Sequence, residues 1–155
     1  GHVPLNHVRT QIQGIKRLTN NAPLYVLGPL CCDSAPGYDH IAGAIGGALG
    51  VEAGVDFLCY LTPAEHLTLP DEADVRAGVM ASRVAAHVGE VALGRPAAVA
   101  REAAMNAARK ALDWEAMHKA ALDPQMLEKR REDHKTEEVC AMCGKFCSVK
   151  MLRGH

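Results

Sequence analysis

The sequence predicts an α/β fold in which short parallel strands alternate with helices, followed by a wholly helical part and a cysteine-rich tail. Two short apolar runs, residues 24–27 and 55–61, have the length and composition of buried strands. Helical patterns precede, separate and follow these runs, an order that implies parallel strands joined by right-handed crossovers. Three cysteines then lie within eight positions near the C terminus.

The helices of the first part are predicted from apolar residues and from a cap. Residues 6–19 place apolar side chains at helical spacing: Val8, Ile12, Ile15 and Leu18. Residues 39–50 are rich in glycine, which costs up to about 1 kcal/mol per residue relative to alanine but permits close packing on a sheet. Asp71 is the expected N-cap of a long helix that ends near Leu93, with its valines and Met80 on one side.

From Gly94 onward the pattern contains no further strand. Residues 97–134 are predicted to form two or three helices, with breaks or starts at Asp113-Trp114 and Asp123-Pro124. The charged run 128–133 is interpreted as a solvated helix face.

Composition limits the classes of function. The chain has 155 residues, ordinary hydrophobic content (48%) and a net charge of −1, which provides no broad attraction to nucleic acid or to a membrane. Glu52 and Asp56 interrupt the most apolar stretch, which therefore fits a buried helix and strand better than a membrane span. Six cysteines without a visible secretory signal favour a reducing, cytoplasmic compartment, where clustered thiols are more often metal ligands than disulfides.

Cys140, Cys143 and Cys147 are the strongest chemical signal in the chain. Three thiolates suit a [4Fe-4S] cluster with one iron open to a substrate or cofactor. The alternative is a structural zinc knuckle with His134 or His155 as the fourth ligand, in a non-catalytic zinc-binding module.

Polar residues also collect in the loops that follow the predicted strands, where the chemistry of parallel barrels takes place. One such loop contains Asp33, Tyr38, Asp39 and His40, and the next contains Thr62, Glu65 and His66. His2 precedes the first helix and is expected in an equivalent loop.

These segments resemble one family, the phosphomethylpyrimidine synthases. The resemblance is carried by five segments and by the cysteine motif: Gly1-His2-Val3-Pro4, Ala22 to Pro29, Ala35-Pro36-Gly37-Tyr38-Asp39-His40, Phe57-Leu58-Cys59-Tyr60 and Thr62 to Leu67. It extends through Asp113-Trp114-Glu115 and Ala121-Leu122-Asp123-Pro124 and so covers essentially the whole chain.

The resemblance implies a radical S-adenosylmethionine lyase of thiamine biosynthesis. Such an enzyme converts 5-aminoimidazole ribotide to 4-amino-5-hydroxymethyl-2-methylpyrimidine phosphate and releases formate and carbon monoxide. The resemblance also implies a homodimer whose cysteine tail reaches the partner's active site, and an electron donor such as flavodoxin or ferredoxin. Because Gly1-His2-Val3-Pro4 reads as the middle of a loop, we expect a C-terminal fragment that is inactive alone.

The implied architecture has three parts. Residues 1–93 would be the last β/α units of a (β/α)8 barrel, residues 94–134 a helical domain, and residues 135–155 the cluster-binding tail.

The resemblance also assigns roles to individual residues. Cys140, Cys143 and Cys147 would hold the [4Fe-4S] cluster, with S-adenosylmethionine on its open iron. His2 and His66 would ligate a divalent metal, zinc or ferrous iron, with carboxylates orienting the rings.

Three further residues have candidate roles in the reaction. Tyr25 would contact the ribotide substrate. Glu65 is a candidate to orient His66 or exchange protons, and Cys59 a candidate catalytic thiol, although a small buried hydrophobic residue is its simpler interpretation.

Two departures from the family pattern keep a rival open. Three residues separate Cys143 from Cys147 where most members have four, and Cys31-Cys32 replaces an aliphatic residue and threonine. The rival is 5-hydroxybenzimidazole synthase, a paralogue of anaerobic cobamide biosynthesis that uses the same ribotide.

Overall fold

The computed structural model describes residues 1–153 and has a helix-dominated α/β fold with one small parallel sheet. The elements of the first part alternate as the sequence predicts: α1 (Leu5–Leu18), β1 (Tyr25–Leu27), α2 (Asp39–Ala53), β2 (Phe57–Cys59) and α3 (Glu72–Ala92). The helices of the second part are α4 (Pro96–Ala111), α5 (Trp114–Ala120), α6 (Pro124–Arg130) and α7 (Ser148–Arg153), with short 3-10 turns at Glu132–His134 and Gly144–Phe146.

The chain divides into two compact units, Gly1–Ala98 and the part that begins at Val99. Among the helices of residues 1–153, none combines the length and apolar character needed to cross a bilayer.

The parallel pairing of the two strands is confirmed. Tyr25 pairs with Phe57 and Leu27 with Cys59, and a separate parallel bridge joins His2 to Leu30. Both strands are shorter than the predicted runs because regular pairing covers only three residues on each. At the start of β2, the N–H groups of Asp56 and Phe57 both donate to the carbonyl of Leu24.

The two faces of the sheet have different surroundings. Val26 and Leu58 pack against the core formed by α1 and the end of α2, whose buried members are Val3, Val8, Ile12, Ala53 and Val55. Alternate side chains of a strand point to opposite faces, and on the other face Tyr25 and Phe57 are exposed with ring centres 5.9 Å apart. The prediction of fully buried strands is therefore wrong for this face.

The glycines of α2 and α3 are explained by close packing. A Cβ atom at Gly46 would overlap the carbonyl oxygen of Pro29, and one at Gly78 would overlap that of Leu61. The helices therefore lie directly against the segments that follow the two strands. This packing offsets the low helix propensity of glycine.

Helix α3 begins as predicted but buries a different face. The Asp71 carboxylate accepts from the N–H of Asp74, and the Asp74 carboxylate accepts from the N–H of Asp71, which forms a complete capping box. The buried residues of α3 are the small ones, Gly78, Ala85 and Gly89. Three of its valines, Val79, Val84 and Val88, are exposed instead, because the helix packs closely through small residues.

The helical breaks in the second unit are confirmed. Asp113 caps α5 by accepting from the N–H of Ala116, and Asp123 caps α6 by accepting from the N–H of Met126. Pro124 occupies the first turn of α6, where its missing N–H costs no helical bond.

Candidate active site

His2 and His66, which are far apart in the sequence, lie side by side. His2 precedes α1, and its backbone bridge to Leu30 fixes it beside the segment that follows β1. His66 lies in the loop between β2 and α3 and has left-handed backbone geometry, with φ at 62°. The ring centres are 5.3 Å apart and the planes are inclined by 52°.

Each imidazole of this pair is held by a carboxylate. The Nδ1 atom of His2 lies 2.6 Å from Oδ1 of Asp33, and Nδ1 of His66 lies 2.7 Å from Oδ2 of Asp39. An ionised carboxylate can only accept, so each Nδ1 donates and each Nε2 becomes the basic ring nitrogen. Metal-binding histidines commonly have this arrangement.

Asp39 determines the electrostatics of His66. The hydrogen bond to Asp39 raises the pKa of His66 above its usual value, whereas partial desolvation lowers it. Smaller electrostatic effects from Asp39, Glu65 and Asp33 add to the increase in pKa.

Asp39 lies at the start of α2 but does not cap it, since this helix has no side-chain capping bond and Asp39 points to His66 instead. Glu65, the candidate to orient His66, contributes a smaller electrostatic effect to this ring, and the carboxylate hydrogen-bonded to Nδ1 is that of Asp39. Nδ1 of His40, the next residue, is buried without a hydrogen-bond partner among residues 1–153.

The spacing of the two rings fits a shared ion. Two imidazoles that bind one tetrahedral ion through nitrogens about 2.1 Å from it have ring centres on the order of 5 Å apart. The observed 5.3 Å agrees with this value. In the described part of the chain, however, no group of three or more histidine, cysteine or acidic side chains converges on one point. Within the described residues the candidate ion site therefore consists of two imidazoles, with no third side chain of these types converging on the same point.

Tyr25 and Cys59 lie on the open face of the sheet. A hydrogen bond with Cys59 raises the pKa of the Tyr25 hydroxyl, and desolvation and electrostatic interaction with Cys59 raise it further. The Tyr25 side chain is more than half exposed, and Cys59 is partly exposed at the end of β2. Both groups are accessible to a small molecule on this face.

The tail cysteines are free thiols in different surroundings. Cys147 is buried, whereas Cys143 is exposed. Hydrogen bonds from the backbone and side chain of Cys143 lower the pKa of Cys140, and the Cys140 sulfur in turn raises the pKa of Cys143. The thiolate form of Cys140 is thus stabilised relative to an ordinary cysteine.

Of the two histidines that are candidates for a fourth zinc ligand, the structure describes His134. Nδ1 of His134 bonds to Glu137 at 2.8 Å. His155 lies outside the described residues.

Cys31 and Cys32 do not act as one group. The thiol of Cys31 is directed to the carbonyl oxygen of Ala42 in α2, 3.3 Å away, whereas Cys32 is exposed beside Ser34. Cys31 therefore contributes to packing under the loop that carries Asp33.

The fold and the site together define an α/β protein with two carboxylate-held histidines beside its strand ends and a C-terminal segment of clustered thiols. The chain belongs to the Radical SAM ThiC family, which it matches over residues 1–154.

Several curated proteins are similar to the whole chain. It is 52% identical to "Phosphomethylpyrimidine synthase 2" of Syntrophotalea carbinolica over 98% of its length. It is also 52% identical to "Phosphomethylpyrimidine synthase" of Dehalococcoides mccartyi over 100% of its length, and 53% identical to the protein of that name from Desulforamulus reducens over 98%. The chain spans 36% of the length of each of these relatives.

The carboxylate partners are the functional residues that sequence reasoning did not identify. Asp33 and Asp39 were recognisable as polar residues of one loop, but the sequence contains no signal that pairs them with His2 and His66. The pairing depends on the parallel sheet, which places the ends of both strands on the same side.

Proposed function

We propose that this chain is the C-terminal third of a phosphomethylpyrimidine synthase. The whole enzyme would act in the cytoplasm and convert 5-aminoimidazole ribotide to 4-amino-5-hydroxymethyl-2-methylpyrimidine phosphate, with release of formate and carbon monoxide. The observation that carries this proposal is identity of about half of all residues, across the full chain, to proteins with that name.

In this proposal Cys140, Cys143 and Cys147 hold the [4Fe-4S] cluster. Three free thiols within eight positions, one with a lowered pKa, fit a cluster that has one open iron. When bound, the cluster would supply the electron that cleaves S-adenosylmethionine. The protein contributes position and exclusion of water.

His2 and His66 would hold the divalent ion, zinc or ferrous iron. The support is the 5.3 Å separation of their rings and the carboxylate on each Nδ1. With only two protein ligands, the ion would have positions for S-adenosylmethionine or the ribotide. Glu65, the neighbour of His66, remains a candidate for proton exchange.

Tyr25 would donate or accept a hydrogen bond at the ribotide, and Cys59 would be the thiol next to it. The register of the sheet supports this assignment, because it leaves the Tyr25 hydroxyl and the Cys59 thiol on the same open face. A tyrosine hydroxyl is ordinarily protonated at neutral pH, and the raised pKa of Tyr25 leaves it so and able to donate.

The same proposal assigns the architecture. Residues 1–93 would supply the last units of a (β/α)8 barrel, residues 94–134 the helical domain and residues 135–155 the tail. The exposed aromatic face of the two-stranded sheet supports this, because the inner face of a barrel is covered only when the other strands are present. The whole enzyme would be a homodimer reduced by flavodoxin or ferredoxin.

The test is turnover by the intact, anaerobically reconstituted protein. It is supplied with aminoimidazole ribotide, S-adenosylmethionine and a reductant, and the products are identified by mass spectrometry. The pyrimidine phosphate is the expected product. Formation of 5-hydroxybenzimidazole would assign the protein to the paralogous reaction, and a colourless protein with stoichiometric zinc and no iron would indicate a zinc-binding module.

A further inference from the structure

The two carboxylates that hold the histidine pair come from one segment. Asp33 lies in the loop after β1, and Asp39 opens α2. Their partners lie on two other segments, one before α1 and one after β2. The Asp33–Asp39 segment thus controls both imidazoles.

We propose that Asp39 is a positioning residue for the divalent ion: its carboxylate fixes the tautomer and orientation of His66, and Asp33 does the same, more weakly, for His2. The inference rests on the proposed function, in which these histidines bind the ion. Neither aspartate is proposed to touch the ion, because each engages an Nδ1 atom and leaves Nε2 for ligation.

The two carboxylates differ in how strongly they hold their imidazoles because they differ in burial. The side chain of Asp39 is 10% exposed, whereas that of Asp33 is 73% exposed. A hydrogen bond shielded from water is electrostatically stronger and holds its geometry, whereas an exposed one competes with solvent. Asp39 therefore constrains His66 more than Asp33 constrains His2.

The backbone supports the same conclusion for Asp39 and His66. Asp39 belongs to the first turn of a 15-residue helix, which fixes its Cα position, yet α2 has no side-chain capping bond. His66 has φ at 62°, a left-handed conformation that is uncommon for residues other than glycine. Both features are explained if the local structure is arranged to bring this carboxylate and this ring together.

The test measures zinc affinity by competition with a chromophoric chelator, with the fold checked by circular dichroism. It uses the intact protein with the three tail cysteines replaced by serine, so that the tail thiols do not contribute to zinc binding, and the loss caused by His66→Ala identifies the share that depends on the histidine pair. We expect Asp39→Ala to weaken zinc binding by roughly 10- to 100-fold, as loss of such a partner typically does. Asp39→Asn should weaken it less, because the amide oxygen can still accept from Nδ1, and Asp33→Ala should weaken it by less than Asp39→Ala.

Asp71→Asn is the matched control. It makes the same change as Asp39→Asn but at a helix N-cap, where asparagine caps as well as aspartate, and within residues 1–153 the Asp71 side chain bonds to the first turn of α3. Its zinc affinity should equal that of the parent.

A double-mutant cycle separates positioning from a general structural role. In a His66→Ala background, Asp39→Ala should cause little further loss of zinc affinity, since the ring that it positions is gone. Full additivity of the two losses would overturn the proposal.

Two further results would also overturn it: a folded Asp39→Ala protein with the parent's zinc affinity, or a parent that binds no zinc at these histidines. Failure of the proposed function appears separately, as absence of the pyrimidine product from reconstituted wild-type enzyme. The positioning role and the reaction can therefore fail independently.

Discussion

Burial distinguishes the three tail thiols. Cys147 is 6% exposed, whereas Cys143 is open to solvent and Cys140 is intermediate. A buried sulfur has few alternative partners, and a serine hydroxyl at that position is a much poorer iron ligand than a thiolate. Cys147 is therefore the position at which replacement by serine tests ligation most directly.

We predict that Cys147→Ser in the intact protein reduces the iron content from about four atoms per chain to near none after anaerobic reconstitution. Iron and sulfide analysis with the visible absorption spectrum checks this. Cys32→Ser is the control, since Cys32 is an exposed thiol outside the tail, and it should retain the full iron content. If the Cys147→Ser protein cleaved S-adenosylmethionine at the normal rate, the ligand assignment would be wrong.

Asp56 links three segments through one carboxylate. It accepts from Nζ of Lys16 at 2.7 Å and from the N–H of Leu24 at 2.8 Å, so that the end of α1 and the start of β1 meet at the start of β2. The hydrogen bond from Lys16, and then that from the N–H of Leu24, lower the pKa of Asp56 below the ordinary value of an aspartate.

The lowered pKa of Asp56 makes its contribution to the stability of the folded state depend on pH. A depressed pKa stabilises the folded state fully above the unfolded pKa near 4, and that contribution is lost as the pH falls through the lower folded value. We expect Asp56→Asn to lower the thermal midpoint at pH 7, with a deficit relative to wild type that shrinks as the pH falls below 4. In a Lys16→Met background the pH-dependent part of the deficit should be smaller. A deficit independent of pH would contradict the assignment.

At the scale of elements, the start of the cysteine tail is tied to two helices. The Trp114 indole N–H at the start of α5 donates to the carbonyl of Glu138 at 2.8 Å. The guanidinium of Arg131, just after α6, lies 3.4 Å from the centre of the Trp114 ring and donates to the carbonyls of His134 and Glu137. The segment before Cys140 is therefore anchored through its backbone.

We predict that Trp114→Phe loosens this segment without unfolding α5, because phenylalanine keeps a ring under Arg131 but cannot donate. Loss of one such bond is worth about 1 kcal/mol, or about fivefold in local opening. Hydrogen exchange of the amides in residues 134–138, followed by mass spectrometry, should accelerate by that factor. Lys119→Met is the control, since it removes only an exposed pair with Glu115 on the same helix. Equal exchange in Trp114→Phe and wild type would exclude this anchor.

Elements were more predictable than their environments. Helix starts at Asp113 and Asp123 could be read from the sequence because capping depends on residues that are near in sequence. The buried face of α3 could not be read from the sequence, since its valines and its small residues both recur at helical spacing. Only the three-dimensional position of Leu61 shows that Gly78 lies at the packing contact. For the same reason His66 could be selected as a candidate ligand, but its partner Asp39 could not.

At the scale of the whole molecule, the two candidate metal centres belong to different parts of the chain. His2, His66 and both carboxylates lie within the unit Gly1–Ala98, and the three tail cysteines lie in the unit that begins at Val99. In the proposed homodimer, the tail of one subunit would serve the histidine site of the other. The two centres of one chain would then work in different active sites.

This arrangement predicts complementation between two inactive proteins. The first is the full-length enzyme without the tail, residues 135–155. The second is the full-length enzyme with His66→Ala. In a mixed dimer, the tail of the His66→Ala subunit can reach the complete histidine site of the tail-less subunit. If subunits exchange at random, half of the dimers are mixed and each has one competent site of two, so about a quarter of wild-type activity should return in a symmetric dimer. Product formation after co-refolding or co-expression measures this. If the tail served its own subunit, every mixed dimer would be inactive, and no activity would return above that of the separate proteins.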